Sequence, residues 1–100
     1  MAQQQQQQQI KVKFPENLQG GVYANNMYVS HTKEEFILDF LMVALPAGVV
    51  TSRVITSPGH MKRIIKALQE NVKKYEQQFG EIAEADEPKG IMGFHTPREE

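Results

Sequence analysis

The sequence predicts a small α+β domain in which about four antiparallel strands precede one long amphipathic helix. Short stretches before residue 57 alternate apolar and polar side chains, as half-buried strands do. Residues 58–79 instead repeat apolar side chains at spacings of three and four, as one face of a helix does. The chain has 100 residues and no cysteine, so it forms one domain at most, without disulfides or thiolate metal sites.

Both ends of the chain are expected to lie outside the domain, which we place at residues 10–80. Residues 1–9 carry a run of seven glutamines with no apolar periodicity, which predicts a disordered, glutamine-rich tail. Residues 81–100 carry two Lys or Arg against six Asp or Glu, which predicts a disordered acidic tail. A small apolar cluster within that tail, Ile91, Met92 and Phe94, is expected to stay undocked.

The first two strands are predicted on either side of a glycine turn. Ile10–Phe14 alternates apolar residues with Lys11 and Lys13, which is typical of a short edge strand. The glycine pair at residues 20–21 predicts a turn, and Val22–Ser30 follows as a second strand. The asparagine pair at residues 25–26 indicates an irregularity within it.

The segment Thr32–Met42 has two interpretations. Thr32 and Glu35 match a capping box, and a helical stripe follows them, which favours a helix. Against this, an apolar set at period two favours a strand, with His31–Glu34 as the hairpin turn. That set consists of Phe36, Leu38, Phe40 and Met42. We predict the strand.

A turn, a last strand and the helix follow. Leu45–Gly48 contains a proline and a glycine and predicts the turn, and Val49–Thr56 is rich in β-branched residues and predicts the fourth strand. Ser57 is a suitable helix N-cap, Pro58 suits the first helical position, and Gly80 predicts the end of the helix. The apolar stripe of this helix contains Met61, Ile64, Ile65, Leu68, Val72, Tyr75 and Phe79.

This stripe has two expected partners. Its proximal part, Ile64 to Val72, is expected to cover the apolar face of the Phe36–Met42 strand. The distal part extends farther than a sheet of ordinary strand length covers, so we expect it to form a dimer interface. The predicted interface residues are Leu68, Val72, Tyr75 and Phe79.

Catalytic, cofactor-binding and metal-ligating residues are not predicted. The three histidines, His31, His60 and His95, lie far apart in the sequence, and no HExxH or CxxC spacing occurs. The serines lack the flanking glycines of a nucleophile elbow, and no phosphate-binding loop is present. Asp39 lies between apolar residues and is expected to pair with Arg53, or with a lysine of the first strand.

Single-stranded nucleic acid is the alternative ligand. Residues 10–80 carry nine Lys or Arg against six Asp or Glu, so the domain is mildly basic. Basic and aromatic residues on one sheet face would form a stacking platform for bases. The candidates are Lys11, Lys13, Tyr23, Tyr28 and Arg53.

Two sequence blocks resemble a known family. The blocks SHTKEEFILDF and TSPGHMKRIIKALQENVKKYE, within Tyr23–Phe79, resemble a family of short bacterial and archaeal proteins catalogued as a domain of unknown function, family 3467. This resemblance implies a recurring compact unit and assigns no catalytic or ligand residue. The glutamine-rich start and the acidic end are expected to lie outside the matching region. In topology alone, the expected ββββα order looks like the dimerising half-units of single-stranded-DNA-binding coactivators of the positive-cofactor-four type.

These observations predict a non-enzymatic, homodimeric interaction or structural module, with a further protein partner as an option. A single-stranded nucleic-acid-binding dimer is the alternative, and an enzyme ranks third. The longest apolar run, Phe36–Val50, is interrupted by Asp39, Pro46 and Gly48, so neither a signal peptide nor a membrane span is expected. The cytoplasm is the expected compartment.

Overall fold

A computed structural model describes residues 8–86 and shows an α+β fold. Its three strands form one antiparallel sheet in the order β1-β2-β3, and one helix follows them. The expected tails at residues 1–9 and 81–100, with the Ile91–Phe94 cluster, lie largely or wholly outside the described residues. The elements are a 3₁₀ turn at Glu16–Leu18, β1 at Asn26–His31, β2 at Phe36–Ala44, β3 at Ala47–Thr56 and α1 at Pro58–Phe79.

The predicted first strand at Ile10–Phe14 is wrong. These residues adopt no regular structure, and the side chains of Ile10 and Val12 are 84% exposed. Alternation alone does not make a strand, because a strand also needs a hydrogen-bonded neighbour. Here the 3₁₀ turn and Gly21, with a φ of 71°, separate this segment from β1. The described sheet therefore has three strands rather than four.

The irregularity predicted at the asparagine pair shortens β1, which begins at Asn26 and not at Val22. The Asn25 backbone N–H donates to the Leu41 carbonyl at 3.0 Å. Its side chain then pairs with the backbone of Val43, donating Nδ2–H to the carbonyl at 2.9 Å and accepting the N–H at Oδ1 at 2.8 Å. The Asn25 side-chain amide thus makes the two hydrogen bonds to β2 that the backbone of a preceding strand residue would make if β1 continued.

The strand prediction for Thr32–Met42 is confirmed from Phe36 onward. The Thr32 N–H donates to the Glu35 carbonyl at 2.9 Å, which closes the turn between β1 and β2. The Thr32 hydroxyl oxygen accepts from the backbone N–H groups of Glu34 and Glu35, both at 3.1 Å. The residues that resemble a helix cap therefore stabilise a hairpin turn.

The second hairpin joins β2 to β3 through Leu45 and Pro46, the first half of the predicted turn Leu45–Gly48. Ala47 and Gly48 already belong to β3, so the strand predicted at Val49–Thr56 starts two residues earlier. Pairing is regular from Phe36 opposite Thr56 to Phe40 opposite Ser52. The register then shifts, because Thr51 is an extra residue in β3. Its hydroxyl donates to the Phe40 carbonyl at 3.1 Å, which anchors the bulge to the central strand.

The helix has the predicted ends. The Ser57 side-chain oxygen accepts the His60 N–H at 3.2 Å, and Pro58 occupies the first turn. At the other end Gly80 has a φ of 98° and donates its N–H to the Glu76 carbonyl at 2.9 Å. This left-handed conformation is one that glycine adopts without strain.

The expected packing of α1 over the sheet is wrong. No residue of α1 is buried, and only Met61, Ile64 and Glu76 are half-buried. A single residue, Ser57, separates the end of β3 from the start of α1. So short a connection does not let the helix turn back across the strands, and α1 leaves the sheet. Within residues 8–86 the buried apolar side chains are Leu38 and Leu41, both 6% exposed.

Candidate interaction surface

The apolar face of α1 is exposed along most of its length. We call five of its residues the helix stripe: Ile65, Leu68, Val72, Tyr75 and Phe79. Their exposure ranges from 44% for Ile65 to 66% for Phe79. The Tyr75 and Phe79 rings contact each other, with centroids 5.0 Å apart. Monomeric soluble proteins rarely leave so continuous an apolar surface uncovered.

Four of these residues are the dimer interface predicted from the sequence. The structure brings Leu68, Val72, Tyr75 and Phe79 onto one face of α1 and leaves all four accessible. Ile65 extends the same line by one turn towards the sheet. The interface itself stays a prediction.

One face of the sheet adds apolar surface that the sequence prediction did not include. Val29 on β1, Leu38 on β2 and Val54 on β3 lie opposite one another in register. Leu38 is buried, but Val29 is 40% exposed and Val54 is 45% exposed. The sequence signal for this row was weak, because Val54 and Ile55 are adjacent apolar residues and β3 does not alternate there.

The opposite face carries an ion pair at its centre. Arg53 donates from Nε to Asp39 Oδ1 at 2.6 Å and from Nη2 to Oδ2 at 2.9 Å. Asp39 is 1% exposed, whereas the Arg53 side chain is 57% exposed. This confirms the predicted pairing of Asp39 with Arg53 across the sheet. The bidentate geometry is the strong form of an Arg–carboxylate contact.

The electrostatics of this pair favour the charged form of both groups. The hydrogen bonds from Arg53 lower the pKa of Asp39 below its ordinary 3.8, although burial of the carboxyl opposes this shift. The same hydrogen bonds raise the pKa of Arg53. A carboxylate held ionised by a bidentate arginine is poorly suited to proton transfer near neutral pH. The pair therefore acts as a structural link between β2 and β3.

The five residues predicted to bind nucleic acid do not share one sheet face. Lys11, Lys13 and Tyr23 precede β1 in irregular, exposed segments. Tyr28 lies on β1, and Arg53 on β3 is bonded to Asp39. The structure thus places two of the five on the sheet and three outside it.

Neither a cluster of metal ligands nor a spanning helix occurs within residues 8–86. In that part of the chain, no group of three or more His, Cys, Asp and Glu side chains is arranged to hold a metal ion. The His60 ring Nδ1 lies 2.8 Å from Arg63 Nη2, one turn along α1. The described residues contain no helix with the length and apolarity needed to cross a membrane.

Comparison with known protein families assigns the chain to one family. A family model described as a protein of unknown function, DUF3467, matches residues 1–84. The chain belongs to the DUF3467 family. The match begins at residue 1, so the glutamine-rich start of this DUF3467 chain lies inside the family region, contrary to expectation, while residues 85–100 lie beyond it. No curated protein and no solved structure matches the chain.

Proposed function

We propose that this DUF3467 chain is a homodimeric interaction module of the cytoplasm, with no enzymatic activity of its own. The observation that carries the proposal is the exposure of the helix stripe. Leu68 is 61% exposed and Phe79 66% exposed, although both belong to the regular apolar face of a well-capped helix. An amphipathic helix is stabilised mainly by packing of its apolar face, so α1 needs a partner.

The small core of the single chain supports the same proposal. Within the described residues Leu38 and Leu41 are the apolar side chains that are buried, and folded domains of this size are already marginally stable. The chain contains no cysteine, so disulfides do not stabilise it. Association with a second chain is the remaining general way to bury more apolar surface.

A second copy of the chain is the simplest partner. In a two-fold contact one apolar surface covers its own equivalent, so no other protein has to match it. The charges of α1 lie to the sides of the helix stripe and on the opposite face, which leaves an apolar centre with a polar rim. Stable protein interfaces have this organisation.

Light scattering tests the proposal. The wild type is expected to have the mass of a dimer at micromolar concentration. The double variant Tyr75→Glu, Phe79→Glu is expected to be monomeric and less stable, because two carboxylates in the stripe would have to be desolvated at the interface.

The matched control places the same two charges on the far side of α1. Ala67→Glu with Gln77→Glu changes exposed positions outside the stripe and should remain dimeric. A wild type that is monomeric at micromolar concentration would refute the proposal. A control that loses the dimer as readily as the stripe variant would also refute it, since charge rather than position would then be responsible.

The nucleic-acid alternative has its own measurement. Labelled single-stranded DNA is titrated with the wild type over a salt series. We expect the wild type to show no tight, salt-sensitive binding to the single strand. Arg53 is bonded to Asp39, and Lys11 and Lys13 lie outside the sheet. Tight, strongly salt-dependent binding that the double variant Lys11→Gln, Lys13→Gln weakens would favour the alternative, since these exposed lysines lie outside the sheet and their loss should leave the fold intact.

A further inference from the structure

We infer that α1 pairs antiparallel with α1 of a second copy, in a register set by Lys62 and Glu76. This inference rests on the proposed homodimer and specifies how its two helices meet. It follows from the heptad positions of the apolar residues and from the distribution of charge beside them.

The exposed apolar residues of α1 follow a heptad repeat. Paired helices place apolar residues at the first and fourth positions of each heptad, called a and d, where they form the seam. The a positions are Ile65, Val72 and Phe79, and the d positions are Met61, Leu68 and Tyr75. Of these six, five are exposed and Met61 is half-buried. The pattern therefore fits a second helix better than a sheet.

The positions that flank this seam differ sharply from each other. On one side, the e positions carry Lys62, Gln69 and Glu76, which include both charge signs. On the other side, the g positions carry Ile64, Asn71 and Gln78, which include no charge. Charges at e and g set the orientation of paired helices, because they meet across the seam.

The orientation follows from which flanks meet. In a parallel pair the e side of one helix lies beside the g side of the other, so neither Lys62 nor Glu76 meets an opposite charge. In an antiparallel pair the e sides lie together. Lys62 then faces Glu76 of the partner subunit, and by symmetry the same ion pair forms a second time. The charge pattern therefore favours the antiparallel pair.

The same register covers the whole seam. With Lys62 beside the partner's Glu76, the two-fold axis passes near Gln69, and the apolar residues meet in three kinds of layer, each of which occurs twice by symmetry. Leu68 meets the partner's Val72, Ile65 meets the partner's Tyr75, and Met61 meets the partner's Phe79. Sliding one helix by a heptad would leave two seam residues of each helix unpaired and place Gln69 beside a charge, so it would lose both ion pairs.

The structure already orients one of these charges. Glu76 is half-buried, and its Oε2 accepts the backbone N–H of Ile82 at 3.0 Å. This bond restricts the side chain of a residue whose e position lies beside the seam. Less side-chain entropy is then lost when it meets a lysine of the partner.

Engineered cysteines test the orientation directly, because the chain has no cysteine of its own. Ile65→Cys and Tyr75→Cys are each oxidised alone, and are also refolded together as a mixture and then oxidised. A disulfide requires Cα atoms within about 7 Å. In the antiparallel register two copies of position 65 lie about 15 Å apart along the helix axis, whereas position 65 of one chain faces position 75 of the other. We expect a disulfide-linked dimer from the mixture and not from either variant alone.

A second pair, Met61→Cys with Phe79→Cys, repeats the test in case one variant is poorly folded. Dimers from each single variant would mean parallel helices and would overturn the inference, while leaving the homodimer intact. The inference would also fail if no disulfide formed and light scattering still showed a dimer, because another surface would then join the chains. A monomer by light scattering would overturn the proposed function as well.

Charge exchange tests the register independently. Lys62→Glu and Glu76→Lys should each weaken dimerisation, by roughly 2- to 10-fold for two partly exposed ion pairs. The double variant Lys62→Glu, Glu76→Lys should restore it, since each charge again faces its opposite. Lys66→Glu, on the outer side of α1, is the control and should have little effect. Failure of the double variant to recover would contradict this register.

Discussion

At the scale of single residues, the Asp39–Arg53 pair has the clearest energetic consequence. Asp39 is 1% exposed, and a buried carboxylate is stable only when its hydrogen bonds replace those lost with water. Two short hydrogen bonds from Arg53 meet that need and also tie β2 to β3 at one register position. A slip of β3 by one residue would move Arg53 to the other face of the sheet and leave the carboxylate without this partner.

The pair predicts a pH dependence of stability. Because the folded protein lowers the pKa of Asp39, the ionised carboxylate contributes stability above its unfolded pKa, and that contribution is lost as the pH falls through the lower folded value. Asp39→Asn should therefore unfold more easily than wild type in urea at pH 7, with the difference shrinking below about pH 4. Arg53→Ala, which leaves the carboxylate unpaired, should be less stable at pH 7 than Asp39→Asn. A difference independent of pH would show that the charge of Asp39 does not matter.

At the scale of elements, local signals were sufficient for α1 and for the two hairpins. Ser57, Pro58 and Gly80 act within one helical turn of their own positions, so their roles depend little on the rest of the molecule. The strand at Phe36–Ala44 was also predictable, because its apolar residues alternate without a break. Contacts between distant segments were harder to predict. Ile10–Phe14 has the pattern of a strand, but no pattern within it shows whether another strand lies alongside.

The position of α1 was not predictable for the same reason. Its apolar face indicates only that something must cover it, and the single-residue connection at Ser57 directs it away from the sheet. The ion pair of Asp39 and Arg53 was predictable, since a charged residue among apolar strand neighbours needs an opposite charge across the sheet. The five candidate nucleic-acid residues stay a prediction, but their grouping on one sheet face was not predictable, because Lys11, Lys13 and Tyr23 lie outside the sheet.

The Asn25 bridge between β1 and β2 is testable at this scale. Asn25→Ala removes both side-chain bonds to Val43 and should lower the free energy of unfolding by about 1–3 kcal/mol, with each bond contributing about 0.5–1.5 kcal/mol. Asn25→Asp retains the acceptor but loses the donor, so it should lie between wild type and alanine. Asn17→Ala, in the exposed 3₁₀ turn, is the control for removing an asparagine. Urea denaturation measures all four proteins, and an unchanged Asn25→Ala would show that the bridge contributes nothing.

At the scale of the whole molecule, most apolar surface lies outside the small core of the sheet. The helix stripe and the row formed by Val29 and Val54 are both accessible in the single chain. If dimerisation covers the stripe, folding and association are thermodynamically linked, because the free energy of association then contributes to the stability of each chain. The valine row lies on the sheet, outside the stripe, so covering the stripe does not by itself cover it.

This linkage makes the melting temperature depend on protein concentration. Calorimetry over a hundredfold range of concentration should show a rising melting temperature for the wild type, because mass action favours the dimer.

Leu68→Ala removes a side chain from the middle of the stripe and should cost about 2–5 kcal/mol when that site is fully covered in the dimer. The melting temperatures of wild type and variant should both rise with concentration, with the variant lower throughout. In the Tyr75→Glu, Phe79→Glu protein, which should not associate, Leu68 stays exposed, and adding Leu68→Ala should cost less than about 0.5 kcal/mol. Equal losses in both backgrounds would mean that Leu68 is covered within its own chain.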